Sequence, residues 1–175
     1  MSLQGEGRLL YIATMYPYKW NTTEIDPETM QRIERHRAMR ADKGFDTVEC
    51  YRHVEHIVAK RQDVLLLECM SNLLANEMYL EPDSNAGSDM AETMSPVSNK
   101  IVQALIDLST RVQELVIVTN DVFSDGGSLT YDESTREYVK NLAEINCALA
   151  REAATVTEVV CGIPVIVKKN HPMGK

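Results

Sequence analysis

The densest chemistry in the chain is the run Arg32-Ile33-Glu34-Arg35-His36-Arg37-Ala38-Met39-Arg40. On a helix, Arg32, His36 and Arg40 recur at i, i+4 and i+8 and line one stripe, while Met30 and Ile33 mark another, turned to the core. An imidazole nitrogen can attack phosphorus, and guanidiniums beside it can hold the non-transferred oxygens. That is the equipment of phosphoryl or nucleotidyl transfer through a histidine. The run also reads as a solvated helix whose arginines pair with Glu24, Glu28 and Glu34. A second signal is Glu68, directly after Val64-Leu65-Leu66-Leu67. An acid ending an apolar strand suits the carboxylate that handles magnesium beside bound phosphates, or else a helix-capping or structural carboxylate. Cys50, His53 and His56, spaced i, i+3 and i+6, invite a metal. Positions so spaced drift around a helix and no fourth ligand follows, whereas Val54, Ile57 and Val58 account for the segment as an amphipathic helix. No metal site is assigned, and Gly126-Gly127 reads as a turn.

These residues need a frame. Leu9 to Ala13, Val64 to Leu67, Leu115 to Val118 and Val159 to Cys161 are short apolar runs that predict buried strands. The last is expected to pair with Val165 to Val167 across a Gly162-Ile163-Pro164 turn. Because the first three runs are apolar at every position, they predict a mostly parallel sheet covered on both faces. Helical patterns fall between them, at about 27–41, 51–61, 70–80, 97–112 and 131–154, the first opened by Asp26 as N-cap and Pro27. Strands alternating with helices predict an α/β domain. In such sheets ligands bind beyond the carboxyl ends of the strands, where Ala13-Thr14-Met15, Glu68 and Thr119-Asn120-Asp121 would lie. Residues 81–96, poor in large apolar groups, predict a long mobile loop.

The 175 residues carry 18 Lys and Arg against 26 Asp and Glu, a net charge of −8. That balance argues against a general grip on nucleic acid, though a local arginine cluster still suits a small anion. No apolar run approaches the roughly 20 residues of a membrane span, and the start lacks a secretory pattern. Four cysteines without a CxxC predict reduced thiols of a cytoplasmic protein, with Cys69, Cys147 and Cys161 half-buried.

Five segments together resemble a known family. Leu10-Tyr11-Ile12-Ala13-Thr14, the Arg32-Ile33-x-x-His36-x-x-x-Arg40 helix, Leu66-Leu67-Glu68-Cys69, Val118-Thr119-Asn120-Asp121-Val122 and the closing Val159-x-x-Gly162-Ile163-Pro164-Val165-x-Val167-Lys168 occur in order and spacing. They look like the bifunctional adenosylcobinamide kinase / adenosylcobinamide-phosphate guanylyltransferase family (CobU), from about residue 8 to 168. The resemblance implies a RecA-like P-loop α/β fold assembled as a homotrimer. It also implies phosphorylation of adenosylcobinamide, then GMP transfer from GTP to adenosylcobinamide phosphate through a guanylyl-histidine. By that resemblance His36 is the catalytic histidine. Ala13, Thr14, Met15, Arg37, Ala38, Met39, Arg40, Glu49 and Glu68 bind the nucleotide, which is GTP or ATP with Mg2+.

Three departures qualify the expectation. Arg40 is followed by Ala41 where the family commonly has proline, and Asn120-Asp121-Val122-Phe123 replaces Asn-Glu-Val-Gly. No Gly-x-x-x-x-Gly-Lys-Ser/Thr loop occurs, although that loop's amides and lysine neutralise phosphates in the family. The expectation is therefore a chain without the first strand–loop–helix unit, a poor kinase taken literally. Residues 1–7 read as a leader remnant, 8–170 as one domain and 171–175 as a tail. The alternative is a non-catalytic module of the same family that binds nucleotide or corrinoid.

Overall fold

The computed structural model describes residues 7–20, 22–80, 94–122 and 131–170. Four strands, β1 (Leu9–Ala13), β2 (Phe45–Glu49), β3 (Val64–Glu68) and β4 (Glu114–Val118), form one parallel sheet in the order β2-β1-β3-β4. The helices are α1 (Pro27–Arg40), α2 (Met70–Tyr79), α3 (Pro96–Arg111) and α4 (Glu133–Glu152). An antiparallel hairpin of β5 (Thr155–Val160) and β6 (Ile163–Lys169) closes the described chain as a separate two-stranded sheet. The α/β class is as the alternation predicts.

Coverage of the sheet differs from expectation. Side chains alternate along a strand, and Leu10, Ile12, Leu65 and Leu67 are fully buried on one face. The core they share includes Met70, Leu73 and Leu74 of α2, Ile101, Leu105 and Leu108 of α3, and Leu142 and Ile145 of α4. Each such burial contributes about 1.5–3 kcal/mol. Among the described residues the opposite face carries α1 alone, whose Arg40 guanidinium lies 3.5 Å over the Tyr11 ring. There Val116 and Val118 are 43% and 39% exposed, so among the described residues this face is the more sparsely covered of the two.

Strand β2 is absent from the sequence reading because Phe45-Asp46-Thr47-Val48-Glu49 alternates instead of running apolar, as befits an edge strand. Gly44, at φ +72°, turns the chain into it. The helix expected over 51–61 is reduced to one 3-10 turn, Val54–His56. His53 adopts a left-handed backbone (φ 56°), and its amide donates to Glu77 Oε1 at 2.7 Å. Val54 and Ile57 are buried, but Val58 is exposed, so the apolar spacing there was no helix face. The hairpin turns at Cys161-Gly162, both at positive φ, and Ile163 and Pro164 already belong to β6. Two central residues at φ > 0 define the I′ turn that suits strand twist. Cys147 and Cys161 are exposed rather than half-buried, and all four thiols are free.

At the amino-terminal edge, buried Asp63 accepts the backbone amides of Arg8 (3.0 Å) and Lys60 (2.8 Å) and the Arg8 guanidinium (2.6 Å). The Arg8 side-chain bonds, above all, hold its carboxyl well below the usual range. Of the stretch read as a leader, Gly7 lies so close to Gln62 that a Cβ would come within 1.9 Å of its carbonyl oxygen. Residues 1–6, 21, 81–93, 123–130 (with Gly126-Gly127) and 171–175 lie outside the described residues.

Candidate active site

The parallel register sets one row of residues across the sheet's carboxyl edge. Ala13 pairs with Glu49 on one side and Glu68 on the other, and Glu68 pairs with Val118. All four line a cleft of about 270 Å³ that α1 roofs with Arg32, Ile33, His36, Arg37 and Arg40. The i, i+4, i+8 stripe thus faces the strand ends. Ile33 lies with it instead of in the core, and α1 buries no residue.

His36 Nδ1 stands 3.8 Å from Glu68 Oε1. The other carboxylate oxygen, Oε2, accepts the Tyr11 hydroxyl at 2.8 Å. Burial first, and the bond to Glu68 second, push the Tyr11 phenol far up, so it remains a donor that fixes which oxygen meets the histidine. Glu49 accepts the Tyr51 hydroxyl at 2.6 Å and pairs with Arg37. Those contacts, the Tyr51 bond foremost, hold its carboxyl below the usual range. The pairing of α1 arginines with Glu24, Glu28 and Glu34 gives way to this contact, while Glu24 pairs with Lys19. The buried Nε of Arg40 has no hydrogen-bond partner among the described residues, an unsatisfied donor of the kind that a ligand oxygen answers.

Of the residues expected to hold nucleotide, Ala13, Met15, Arg37, Arg40, Glu49 and Glu68 line the cleft with His36. Thr14 does not. It is buried, its hydroxyl within reach of the Glu68 (3.1 Å) and Cys69 (2.9 Å) carbonyls while accepting the Cys69 amide (2.9 Å), and so it pins β1 to the end of β3. Ala38 and Met39 lie on the outer side of α1, exposed. Sequence reading missed Tyr11, Tyr51 and Asn76. Buried Asn76 donates to the Thr14 carbonyl (2.8 Å) and the Tyr51 carbonyl (2.9 Å), joining the ends of β1 and β2 to α2. Only the shared face of Tyr11 and Ala13, two residues apart, was a readable signal. Ser71 donates to Asn120 Oδ1 at 2.9 Å, bringing the start of α2 and the end of β4 to the same cleft.

The Cys50, His53, His56 spacing assembles no ligand set. The Cys50 thiol lies 3.2 Å from the Arg52 carbonyl, and burial pushes it up to about 11. His53, Glu55 and Glu77 do converge, but Lys100 Nζ sits 3.1, 3.5 and 3.0 Å from them, a cation already in the space.

A parallel α/β sheet whose carboxyl edge gathers a histidine, arginines and carboxylates defines a protein built around an anion-suited cleft. Over residues 1–167 the chain matches the sequence profile of CobU, cobinamide kinase / cobinamide phosphate guanyltransferase, and it belongs to that family. No individual curated protein matches it. Membership places the chain in cobalamin biosynthesis, among kinases and guanyltransferases that use nucleotide substrates. Among the described residues no helix is long and apolar enough to cross a membrane.

Proposed function

We propose that the His36 cleft transfers a guanylyl group from GTP to cobinamide phosphate by way of a guanylyl-histidine. The observation that carries the reading is the convergence of His36, three arginines and Glu68 at the carboxyl edge of the sheet. Nδ1 is the ring nitrogen nearer Glu68, which leaves Nε2 as the nitrogen that takes the phosphoryl group. Nε2 bonds to the α-phosphorus of GTP as the α–β anhydride breaks, and pyrophosphate leaves. A phosphate oxygen of cobinamide phosphate then attacks the same phosphorus, the P–N bond breaks, and the product carries GDP. Arg32, Arg37 and Arg40 neutralise the phosphoryl oxygens, and Glu68 stabilises the positive charge that develops on the ring.

Magnesium binds through one or two carboxylates together with substrate phosphates. Glu49 is engaged by Tyr51 and Arg37, and Glu68 by Tyr11 and His36, so a magnesium ion in this cleft would be held chiefly by the substrate phosphates. The metal would supply charge neutralisation at the phosphates. The reading includes the cytoplasmic, RecA-like homotrimer that the resemblance implies, with ATP or GTP as donor for the kinase half.

The test is incubation of the full chain with magnesium and GTP labelled at the α-phosphate. An acid-labile, alkali-stable label that disappears in His36→Ala is expected. Absence of label, or its persistence in that variant, overturns the reading.

A further inference from the structure

Beside the His36 cleft lies a larger one, about 1260 Å³. The two share Glu49 and Tyr51 as a common wall. Aromatic rings lead from that wall, through Tyr16 on the larger cleft, toward a neighbouring surface lined by Trp20 and Tyr79. Tyr51 meets Tyr16 at 5.4 Å, Tyr16 meets Trp20 at 6.5 Å, and Trp20 meets Tyr79 at 6.2 Å between centroids. Val58 on the larger cleft's lining is 86% exposed, and Trp20 next to Tyr16 is 52% exposed.

We propose that this larger cleft seats the corrin macrocycle of the cobinamide substrate, whose phosphate-bearing arm crosses the Glu49–Tyr51 wall to His36. The proposal rests on the reading above and extends it to the second substrate. Size is the first argument. A drug-sized ligand fills roughly 300–1,000 Å³, so a cleft of about 270 Å³ holds the reacting end of a nucleotide and excludes a macrocycle. The macrocycle must therefore lie outside, yet near enough for its arm to reach phosphorus on His36. The adjoining cleft meets both demands.

Chemistry is the second argument. A corrin is a flat apolar ring fringed by carboxamides. Tyr16, Ile57 and Val58 offer apolar and aromatic contact, and Thr22, Thr23 and His56 offer polar partners for the amides. The wall suits an arriving phosphate as well, because the Arg37 guanidinium already lies there against Glu49. A phosphate can take that guanidinium bidentately.

The test uses the full chain and cobinamide itself. Equilibrium dialysis without nucleotide gives the affinity. Trp20, the only tryptophan, reports location, since a corrinoid absorbs where indole emits and quenches it nearby. Tyr16→Ala and Val58→Asp are each expected to weaken cobinamide binding tenfold or more. Val58 is exposed, so its substitution leaves the core intact if Tyr16→Ala does not fold. No binding by the wild type, binding without Trp20 quenching, or unchanged affinity in Val58→Asp overturns the proposal. So does quenching of Trp20 by GTP that cobinamide cannot compete away, which would give the larger cleft to the nucleotide. The His36 label is read separately. If it fails while cobinamide binding behaves as expected, guanylyl transfer falls and the corrin cleft stands.

Discussion

Glu68→Gln tests the electrostatic half of the mechanism most directly. The substitution keeps a partner for the Tyr11 hydroxyl but removes the charge 3.8 Å from His36 Nδ1. Two unit charges at that distance attract by about 4 kcal/mol at an effective dielectric of 20 and about 1 kcal/mol at 80. The two side chains are 28% and 35% exposed, so solvent screening brings the interaction to about 1–2 kcal/mol. It acts in full only when positive charge develops on the ring as Nε2 bonds to phosphorus. The rate of His36 labelling should therefore fall about 5- to 30-fold. The assay is the single-turnover appearance of acid-labile label, alongside the thermal midpoint of the variant. A rate within twofold of wild type refutes the pairing. A slower rate accompanied by a midpoint lowered by several degrees assigns Glu68 to the fold instead.

Three other outcomes follow from buried groups. Asn76→Ala leaves the Thr14 and Tyr51 carbonyls without their donor, at about 1–3 kcal/mol for each carbonyl left unpaired; calorimetry should show the loss. The Asp63 carboxyl is depressed in the folded state, so its stabilisation is present above the unfolded value near 3.9 and is lost as pH falls through the folded one. Asp63→Asn should lower the midpoint at pH 7 by on the order of 5 °C and flatten the acid limb of the stability–pH profile. With its thiol pushed up to about 11, Cys50 is only about 0.1% thiolate at pH 8. Thiol titration of the native chain should modify exposed Cys147 and Cys161 first, and mass mapping should find Cys50 unmodified until denaturant is added.

How much of this was legible in the sequence depends on the range of the interaction. Leu9–Ala13, Val64–Glu68 and Glu114–Val118 announce themselves by apolar density, and Pro27 opens α1 where local rules place it. The His36 stripe and the acid at the end of β3 are likewise local. Phe45–Glu49 escaped because an edge strand needs no continuous apolar run, and Glu49 entered only through family resemblance. The false helix at 51–61 came from reading Val54, Ile57 and Val58 as a face, when the Glu77 carboxylate, 24 residues from His53, captures its amide. Tyr11 on Glu68 and Asn76 on Thr14 span 57 and 62 residues. Such contacts exist only after the register that sets Ala13 between Glu49 and Glu68, and no local pattern encodes that register.

The sparse cover of that sheet face among the described residues bears on the chemistry proposed for α1. A 14-residue helix is marginal alone, and α1 buries no side chain that would commit it to the core. Its attachment runs through Arg40 on Tyr11, about 0.5–2 kcal/mol for a cation–π contact, and Arg37 with Glu49, about 0.2–1 kcal/mol for a pair this exposed. Both guanidiniums line the cleft that would hold phosphate. The groups that dock the helix are therefore the groups a nucleotide would engage, and the energies are comparable to what one phosphate contact supplies. A helix held by apolar burial could not exchange its anchors for ligand contacts without opening the core. One held by arginines can, which suits α1, among the described helices the one with no buried residue, to the chemistry proposed for it.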